Sequence, residues 1–584
     1  MRFLRLFPAL LLCLLLCGCA PAAPARTCTV ILEDNPGLHF TRQVFEVPRG
    51  TDFTVTVGVP LGQRIAGVSY PGAAVSARVR TVGDYAEYEL TLPRVRYPAV
   101  IRLTLTEDRK TVYTLPDGSA VTVTEENSRL RVNTLPWSEA CRREDSLAVG
   151  WQTEAGEEIG FGSRYTPGQD SVTALRPVFL ACTPAEAFRY ELRDGGAVIT
   201  GCAVQGDLIL PETLGGLPVT AIAAGAFGAV EADTVAFPPC LRQIEDGAFA
   251  GLSARRLYLF DTLTEVGDAA FGALSVRSLR IGAARPPVYC GSYFDTLSEK
   301  IDYLDSLRDT RKLVLFCGSS ARFGYDSALL EAAFPDYRVV NLGVFAYANM
   351  LPQALLMEQY LCPGDVVLHS PELDAIDTQF CGETALDPET FAMMESNYDM
   401  LASIDLTGFT GIFDAFARYQ HNRASMQPRS YSDIPAHYDE DGGYHQQLTY
   451  NRAGDYILHR ESNLDRRLFG VKRACYNAAG IREADWTGIT RLHDRLTARG
   501  VTVLFTYSPR SARSITPDSD EAARAGLDAL LRQRLAVPVL SSIEDSLMDA
   551  LYFYGTDNHL SSEGAALHTR QVIEDLRPYL EVTP

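Results

Sequence analysis

The 584-residue sequence predicts a multidomain protein: N-terminal β-rich modules, a short repeat solenoid, and a C-terminal α/β three-layer domain built on a parallel sheet. Three observations carry this reading. Residues 28–108 alternate apolar and polar side chains in period two. A 22-residue period runs through the middle of the chain. After residue 300, apolar strands alternate with helical patterns. The length suits about three to five domains. Lys plus Arg number 53 against 73 Asp plus Glu, a formal charge of −20. That balance excludes a general nucleic-acid binder, which needs a basic face to neutralise phosphates.

Taken in order, the first 18 residues form a targeting segment. Arg2 and Arg5 precede an apolar stretch from Leu6 to Cys17 that is too short to span a bilayer. It ends in Leu16-Cys17-Gly18-Cys19, which resembles a bacterial lipobox, so Cys19 is the expected lipidation site. Residues 19–27, rich in Ala and Pro, read as a tether. The expected location is extracytoplasmic, with the lipidated Cys19 holding the protein to the bacterial cell membrane. The cysteines show no CxxC pair and no zinc-ligand spacing, which leaves disulfide pairing open.

In residues 28–108, Phe53-Thr54-Val55-Thr56-Val57 and Tyr85-Ala86-Glu87-Tyr88-Glu89-Leu90 are half-buried strands of a small sandwich-like module. Residues 109–185 form a second small β-rich module. Its Gly150-Trp151-Gln152-Thr153-Glu154 and Leu175-Arg176-Pro177-Val178-Phe179 resemble a surface repeat of the internalin-B type.

From 186 to 290 four registers share one spacing: Ile222, Ile244 and Val266; Phe227, Phe249 and Phe271; Val235, Leu257 and Leu279; Phe237, Leu259 and Ile281. A unit this short cannot bury its apolar edge alone, so neighbours must stack. These residues resemble BspA-like leucine-rich repeats. The resemblance implies a spacer or docking element, with a protein partner as one use of it.

Eight of the nine histidines follow residue 300, which directs the search for acid–base chemistry there. Leu313–Phe316, Arg338–Val340, Asp365–Leu368 and Val501–Phe505 read as parallel strands. Pro352–Leu361 and Trp486–Arg499 read as helices. Active sites of such sheets lie at the carboxyl ends of the strands. There the chain reads Cys317-Gly318-Ser319-Ser320-Ala321-Arg322-Phe323-Gly324, and near its end Gly555-Thr556-Asp557-Asn558-His559. A serine, a histidine base and an orienting carboxylate are the parts of covalent acyl transfer.

Over residues 300–584 these blocks resemble the SGNH (GDSL-like) hydrolase superfamily, which implies a flavodoxin-like fold. The resemblance makes Ser319 the nucleophile, with Ser320 the alternative in a shorter register. His559 is the implied base and Asp557 the implied acid. Gly343, in Val340-Asn341-Leu342-Gly343, is the implied oxyanion donor together with the N–H of Ser319. The sequence departs from the family twice. Ser370-Pro371-Glu372 replaces the usual Gly-x-Asn-Asp, although Asn349 lies nearby. Thr556 stands where Asp usually precedes His by three.

An insertion at 381–481, rich in Tyr, His and Asp, carries His421, His437, His445 and His459; its segment from His437 to His445 lacks metal-site spacing and is expected to form a solvated polar cap. Tyr450-Asn451-Arg452-Ala453-Gly454-Asp455 within it also matches relatives and is expected to shape the acceptor pocket. Structural roles are expected for His369 and His493. The resemblance implies a serine esterase or O-acyltransferase acting on an acylated cell-envelope glycan or polymer, with a membrane-bound acyltransferase as a partner. No cofactor and no metal are expected. The alternative is a surface binding lipoprotein with a silent C-terminal domain.

Overall fold

The computed structural model describes residues 27–581, apart from 36, 126–131, 167–171, 204, 430–449, 452 and 471–472. The targeting segment, Cys19, most of the tether, His437, His445 and Arg452 lie outside the described residues. Among the described residues no helix is long and apolar enough to cross a membrane. The protein is multidomain, and its chain divides into two compact units.

The first unit holds the described residues of Met1–Val112 with Thr122–Leu130 and Pro167–Thr173. Strand Thr51–Pro60 pairs antiparallel with Tyr85–Val95, setting Val55 opposite Leu90 and Val57 opposite Tyr88. The period-two pattern sends Val55, Val57, Val59, Tyr88, Leu90 and Leu92 into one core. Strand Thr27–Leu32 adds Val30 and Leu32 to that core.

The second unit comprises Tyr113–Val121, Arg131–Thr166 and Ala174–Pro584. Strands β1 (Ser146–Thr153) and β2 (Val172–Ala181) pair antiparallel, with a register shift between Ala148 and Gly150. A Cβ on Gly150 would lie 2.6 Å from the Ile159 carbonyl oxygen, so only glycine fits there. Trp151 is fully buried between Tyr113 and Phe161, with ring centroids 4.7 and 5.4 Å away.

The 22-residue period becomes a stack of parallel strands. Strands β3 (Leu208–Ile209), β4 (Phe227–Ala236), β5 (Phe249–Phe260) and β6 (Leu274–Gly282) are neighbours in that order. Register puts Val235 beside Leu257 and Leu257 beside Leu279. A second edge aligns Ile222, Ile244 and Val266. Phe227, Phe249 and Phe271 form a ladder, with successive centroids 4.5 and 5.0 Å apart. The sheet does not stand free. Leu147 and Val149 of β1 pack against Ile209, Ala236 and Tyr258.

The α/β part is built on β7 (Lys312–Phe316), β8 (Arg338–Asn341), β9 (Val366–His369) and β10 (Thr502–Phe505). All pair parallel in the order β8-β7-β9-β10. Every residue of β7 is buried because helices cover both faces. Leu313 and Leu315 share a core with Val572, Ile573 and Leu576 of helix Ser562–Leu580. Val314 and Phe316 point into the other layer, with Ile301 and Leu304 of helix Thr296–Ser306. The helix expected between β7 and Phe334 is two helices, Ser319–Gly324 and Ser327–Ala333. Asp326 divides them by accepting the N–H groups of Ala328 and Leu329 as the second N-cap.

Within the insertion, the segment 437–445 expected to form a solvated cap lies outside the described residues, and the first half forms buried helices α1 (Pro388–Met394) and α2 (Ile412–Ala424). Phe413 of α2 continues the phenylalanine ladder, stacking on Phe271 at 4.3 Å. Beside it, the fully buried Arg423 pairs with Glu395 at 2.7 Å and with Asp261 at 3.1 Å. Gln420 Nε2 donates to the Asp261 carbonyl. The open end of a stacked array exposes apolar edge and needs a cap. These helices supply it, so repeat array and α/β sheet share one core.

Candidate functional site

β7 delivers the Ser319 loop to the carboxyl edge of the sheet, beside the point where strand order reverses. Gly318 packs so closely on Ala346 that an added Cβ would lie 2.6 Å from its Cα. Ser319 opens helix Ser319–Gly324 and is nearly buried, at 7% exposure. At the far end of the domain, Thr556 Oγ1 accepts the N–H of His559 at 3.0 Å. That bond closes the turn before helix Ser562–Leu580. The two loops meet: His559 Nε2 lies 2.9 Å from Ser319 Oγ.

Phe323, from the Phe-Gly pair after the serine, stacks on the imidazole with centroids 4.1 Å apart. Burial, followed by the positive charges of Arg322 and Arg460, holds the His559 pKa down to about 3. At neutral pH the ring is therefore unprotonated and can accept the serine proton. The same surroundings disfavour the imidazolium that results. A cavity of about 570 Å³ opens beside the pair. Tyr293, Phe294, Phe345 and Tyr347 form its aromatic side, and the ion-paired Asp374 and Arg510, 2.8 Å apart, its polar side.

Several expected residues occupy other roles. Ser320 is completely buried and its N–H donates to Glu372 Oε1 at 2.8 Å, so Ser319 alone of the two reaches the imidazole. Asp557 lines the cavity but does not orient the ring. Its carboxylate accepts the N–H groups of Phe469 and Gly470, at 3.2 and 2.8 Å. Among the described residues no carboxylate bonds to His559. The N–H groups of the 469–470 loop hold the Asp557 carboxylate instead.

Gly343 also departs from its expected role. Its N–H donates to Asn341 Oδ1 at 3.1 Å, and its carbonyl accepts Lys300 Nζ at 2.7 Å and Arg322 Nε at 3.3 Å. Glycine is required there by contact, because a Cβ would lie 2.6 Å from Arg322 N and 2.7 Å from the Gly318 carbonyl oxygen. Of the expected oxyanion pair, the Ser319 N–H makes no hydrogen bond among the described residues, and the Gly343 N–H does. Asn349 is a helix cap: its Oδ1 accepts Leu351 N–H and its amide donates to the Glu383 and Ala385 carbonyls.

His369 and His493 are buried and hydrogen-bonded to each other at 3.0 Å, away from the cavity. His421 and His459 are exposed and do not line it. Asp455 lies behind helix Ser319–Gly324, where it accepts the Ser327 hydroxyl and the Asn341 amide. Of the segment 450–455, expected to shape an acceptor pocket, none of the described residues lines the cavity. Among the described residues no group of three or more His, Cys, Asp or Glu side chains is arranged to hold a metal ion.

Sequence reasoning passed over Glu372, Asn558 and the aromatic side of the cavity. The only signal for Glu372 was its place where the third family block normally stands. Fold and site together define a half-buried serine–imidazole pair at the carboxyl edge of a parallel sheet. Compared with known proteins, the chain matches no protein-family model and no curated protein.

Proposed function

We propose that this protein is a lipid-anchored, extracytoplasmic serine esterase or O-acyltransferase of SGNH type, acting on ester groups of a cell-envelope glycan or polymer. The observation that carries the reading is the 2.9 Å contact between Ser319 Oγ and His559 Nε2 beside a cavity. In this reading Ser319 Oγ attacks the ester carbonyl while His559 Nε2 takes the hydroxyl proton. The tetrahedral oxyanion forms beside the Ser319 N–H. Collapse expels the alcohol, which receives the proton from His559, and leaves an acyl-Ser319 ester. Water or a sugar hydroxyl then attacks that ester, with His559 again moving the proton. Aromatic rings and an ion pair lining the same cavity suit a sugar ring carrying an ester. The repeats serve in this reading as leucine-rich scaffold holding the β module and the α/β domain together.

A fluorophosphonate probe followed by peptide mapping tests the reading. Labelling at Ser319, absent in Ser319→Ala and retained in Ser320→Ala, is expected. No labelling, together with no hydrolysis of p-nitrophenyl acetate, rejects it.

Two observations favour a second reading, a binding lipoprotein whose C-terminal domain is silent. His559 lacks a carboxylate among the described residues, and the Gly343 N–H is already bonded. Tight binding to a cell-wall fraction without ester turnover is the outcome that distinguishes it.

A further inference from the structure

Glu372 stands at the carboxyl end of β9 and is 2% exposed. Its two carboxylate oxygens reach opposite halves of the site. Oε1 accepts the N–H of Ser320, the residue after the nucleophile, at 2.8 Å. Oε2 accepts Asn558 Nδ2, from the residue before the base, at 2.5 Å. Asn558 Oδ1 in turn accepts the Thr556 hydroxyl at 3.0 Å, and Thr556 Oγ1 accepts the His559 N–H at 3.0 Å. One unbroken set of hydrogen bonds therefore runs from the nucleophile helix to the backbone of His559. Its members come from three separated parts of the chain, and only a group with two acceptor oxygens can close it at the centre.

We propose that Glu372 is a positioning residue that clasps the Ser319 loop to the His559 turn and sets the distance between the two reacting atoms. The proposal rests on the serine-acyl-transfer reading for its kinetic consequence. The clasp itself is a statement about the geometry of the pair.

Its chemistry makes it sensitive to protonation. A protonated carboxyl turns one acceptor into a donor, which then faces a donor at Ser320 N or Asn558 Nδ2. Burial, with the negative charge of Asp374 next, raises the Glu372 pKa to about 7. The groups that face it are Asp374, Cys317 from the end of β7, Tyr347, Tyr476, Ser320 and Asn558. Arg510 stands next to Asp374 and pairs with it. The Cys317, Tyr347 and Tyr476 pKa values are all raised, chiefly by burial, so these groups stay neutral through the neutral range. The His559 pKa, near 3, lies below that range too. Among the groups that face the clasp, Glu372 is the one whose substitution by Gln tests a titration of kcat near neutrality.

The test uses the mature full-length protein with p-nitrophenyl acetate as substrate, and the ¹³Cε1 resonance of His559 as a second readout. Glu372→Ala is expected to lower kcat by about 30-fold or more with KM within about twofold, since misplacement rather than lost binding is at issue. Asn558→Ala severs the same set from the less buried side and is expected to do likewise. The double variant should be no slower than the slower single variant. The parent kcat should rise with pH through the neutral range, and Glu372→Gln, which cannot ionise, should lose that limb. The His559 resonance should move over the same range in the parent and stay still in Glu372→Gln.

Parent-like kcat in both Ala variants, or a neutral-range limb that persists in Glu372→Gln, overturns the proposal while leaving serine catalysis intact. A parent that neither turns over ester nor takes the probe overturns the catalytic reading instead. In that case the His559 resonance decides the clasp: movement with pH that vanishes in Glu372→Gln supports it, and no movement in the parent overturns it.

Discussion

Arg423 lies between two carboxylates, Asp261 and Glu395, whereas the charges acting on His559 are those of two guanidinium groups, Arg322 and Arg460. Both clusters lie in the second unit and both join distant parts of the chain, the first fully buried and the second around a half-buried imidazole. At Arg423 the opposite charges compensate one another's desolvation, so the cluster can bind the repeat array to helix α2. At His559 the neighbouring charge has the wrong sign for a base that must become positive. The acids of this domain thus serve architecture at the seam, at the Asp557 loop and at the Glu372 clasp. The imidazole is left neutral and available, with no counter-charge among the described residues to stabilise its protonated form. An active pair in such a setting should turn over slowly.

The largest effect expected from breaking this comparison falls on the nucleophile. Ser319→Ala should reduce p-nitrophenyl acetate hydrolysis by about 10³-fold or more, to the buffer background, and Ser320→Ala should keep most of it. Next comes the seam. Arg423→Ala removes the guanidinium between two buried carboxylates, which keep only their neutral hydrogen-bond donors, and a loss of about 3–5 kcal/mol in urea unfolding is expected. Ester turnover should survive that change under native conditions, because the seam does not touch the cavity.

The third effect is on pH and stability. Burial holds the pKa values of His493 and His568 down to about 4. The unfolded chain takes up those protons near pH 6.5, and the folded chain does so only near pH 4. The unfolded state therefore binds more protons between these limits. The contribution of these two histidines to stability should be full above about pH 6.5 and fall by about 3 kcal/mol or more as pH drops toward 4, while the raised pKa values of Glu372 and Asp261 act in the opposite sense over that window. Urea midpoints of the parent and of a His493→Gln/His568→Gln variant across that window check this, and a difference between the two that does not change with pH contradicts it. The smallest effect sharpens the contrast at the imidazole. Thr556→Asp restores the carboxylate three residues before the base. It should raise the His559 pKa and increase kcat by about tenfold. An unchanged rate with an unchanged His559 titration shows that the added carboxylate fails to reach the ring.

Much of this was legible in the sequence, for local reasons. The 22-residue spacing of phenylalanines became the stacked ladder, because a fixed period leaves each ring facing its successor. The apolar runs after residue 300 became parallel strands buried on both faces. Ser319 and His559 were recognisable because each stands in a short motif at a strand or helix end. Their meeting across 240 residues follows from the sheet, not from either motif.

Other features had no local signature. Phe413, Phe416 and Tyr419 have helical spacing, but nothing in that spacing says that they cap a repeat array. Asp557 looked like an orienting acid because it sits two residues before His559. Its direction was decided by the N–H groups of residues 469 and 470, nearly 90 positions away. Glycine at 343 was readable as a position where a side chain would not fit. Which N–H groups remain open to an oxyanion depends on where Asn341 turns.

By itself, then, the sequence determined the kinds of element and their order: β modules, stacked repeats, and an α/β domain with a serine early and a histidine late. These follow from periodicity and from the few residues tolerated at turns and helix starts. Only the tertiary structure decided which carboxylate serves which cation, how the repeat end is closed, and what holds Ser319 against His559. Those outcomes depend on side chains brought together from distant parts of the chain, where burial makes each hydrogen bond and each charge pair exclusive of the alternatives.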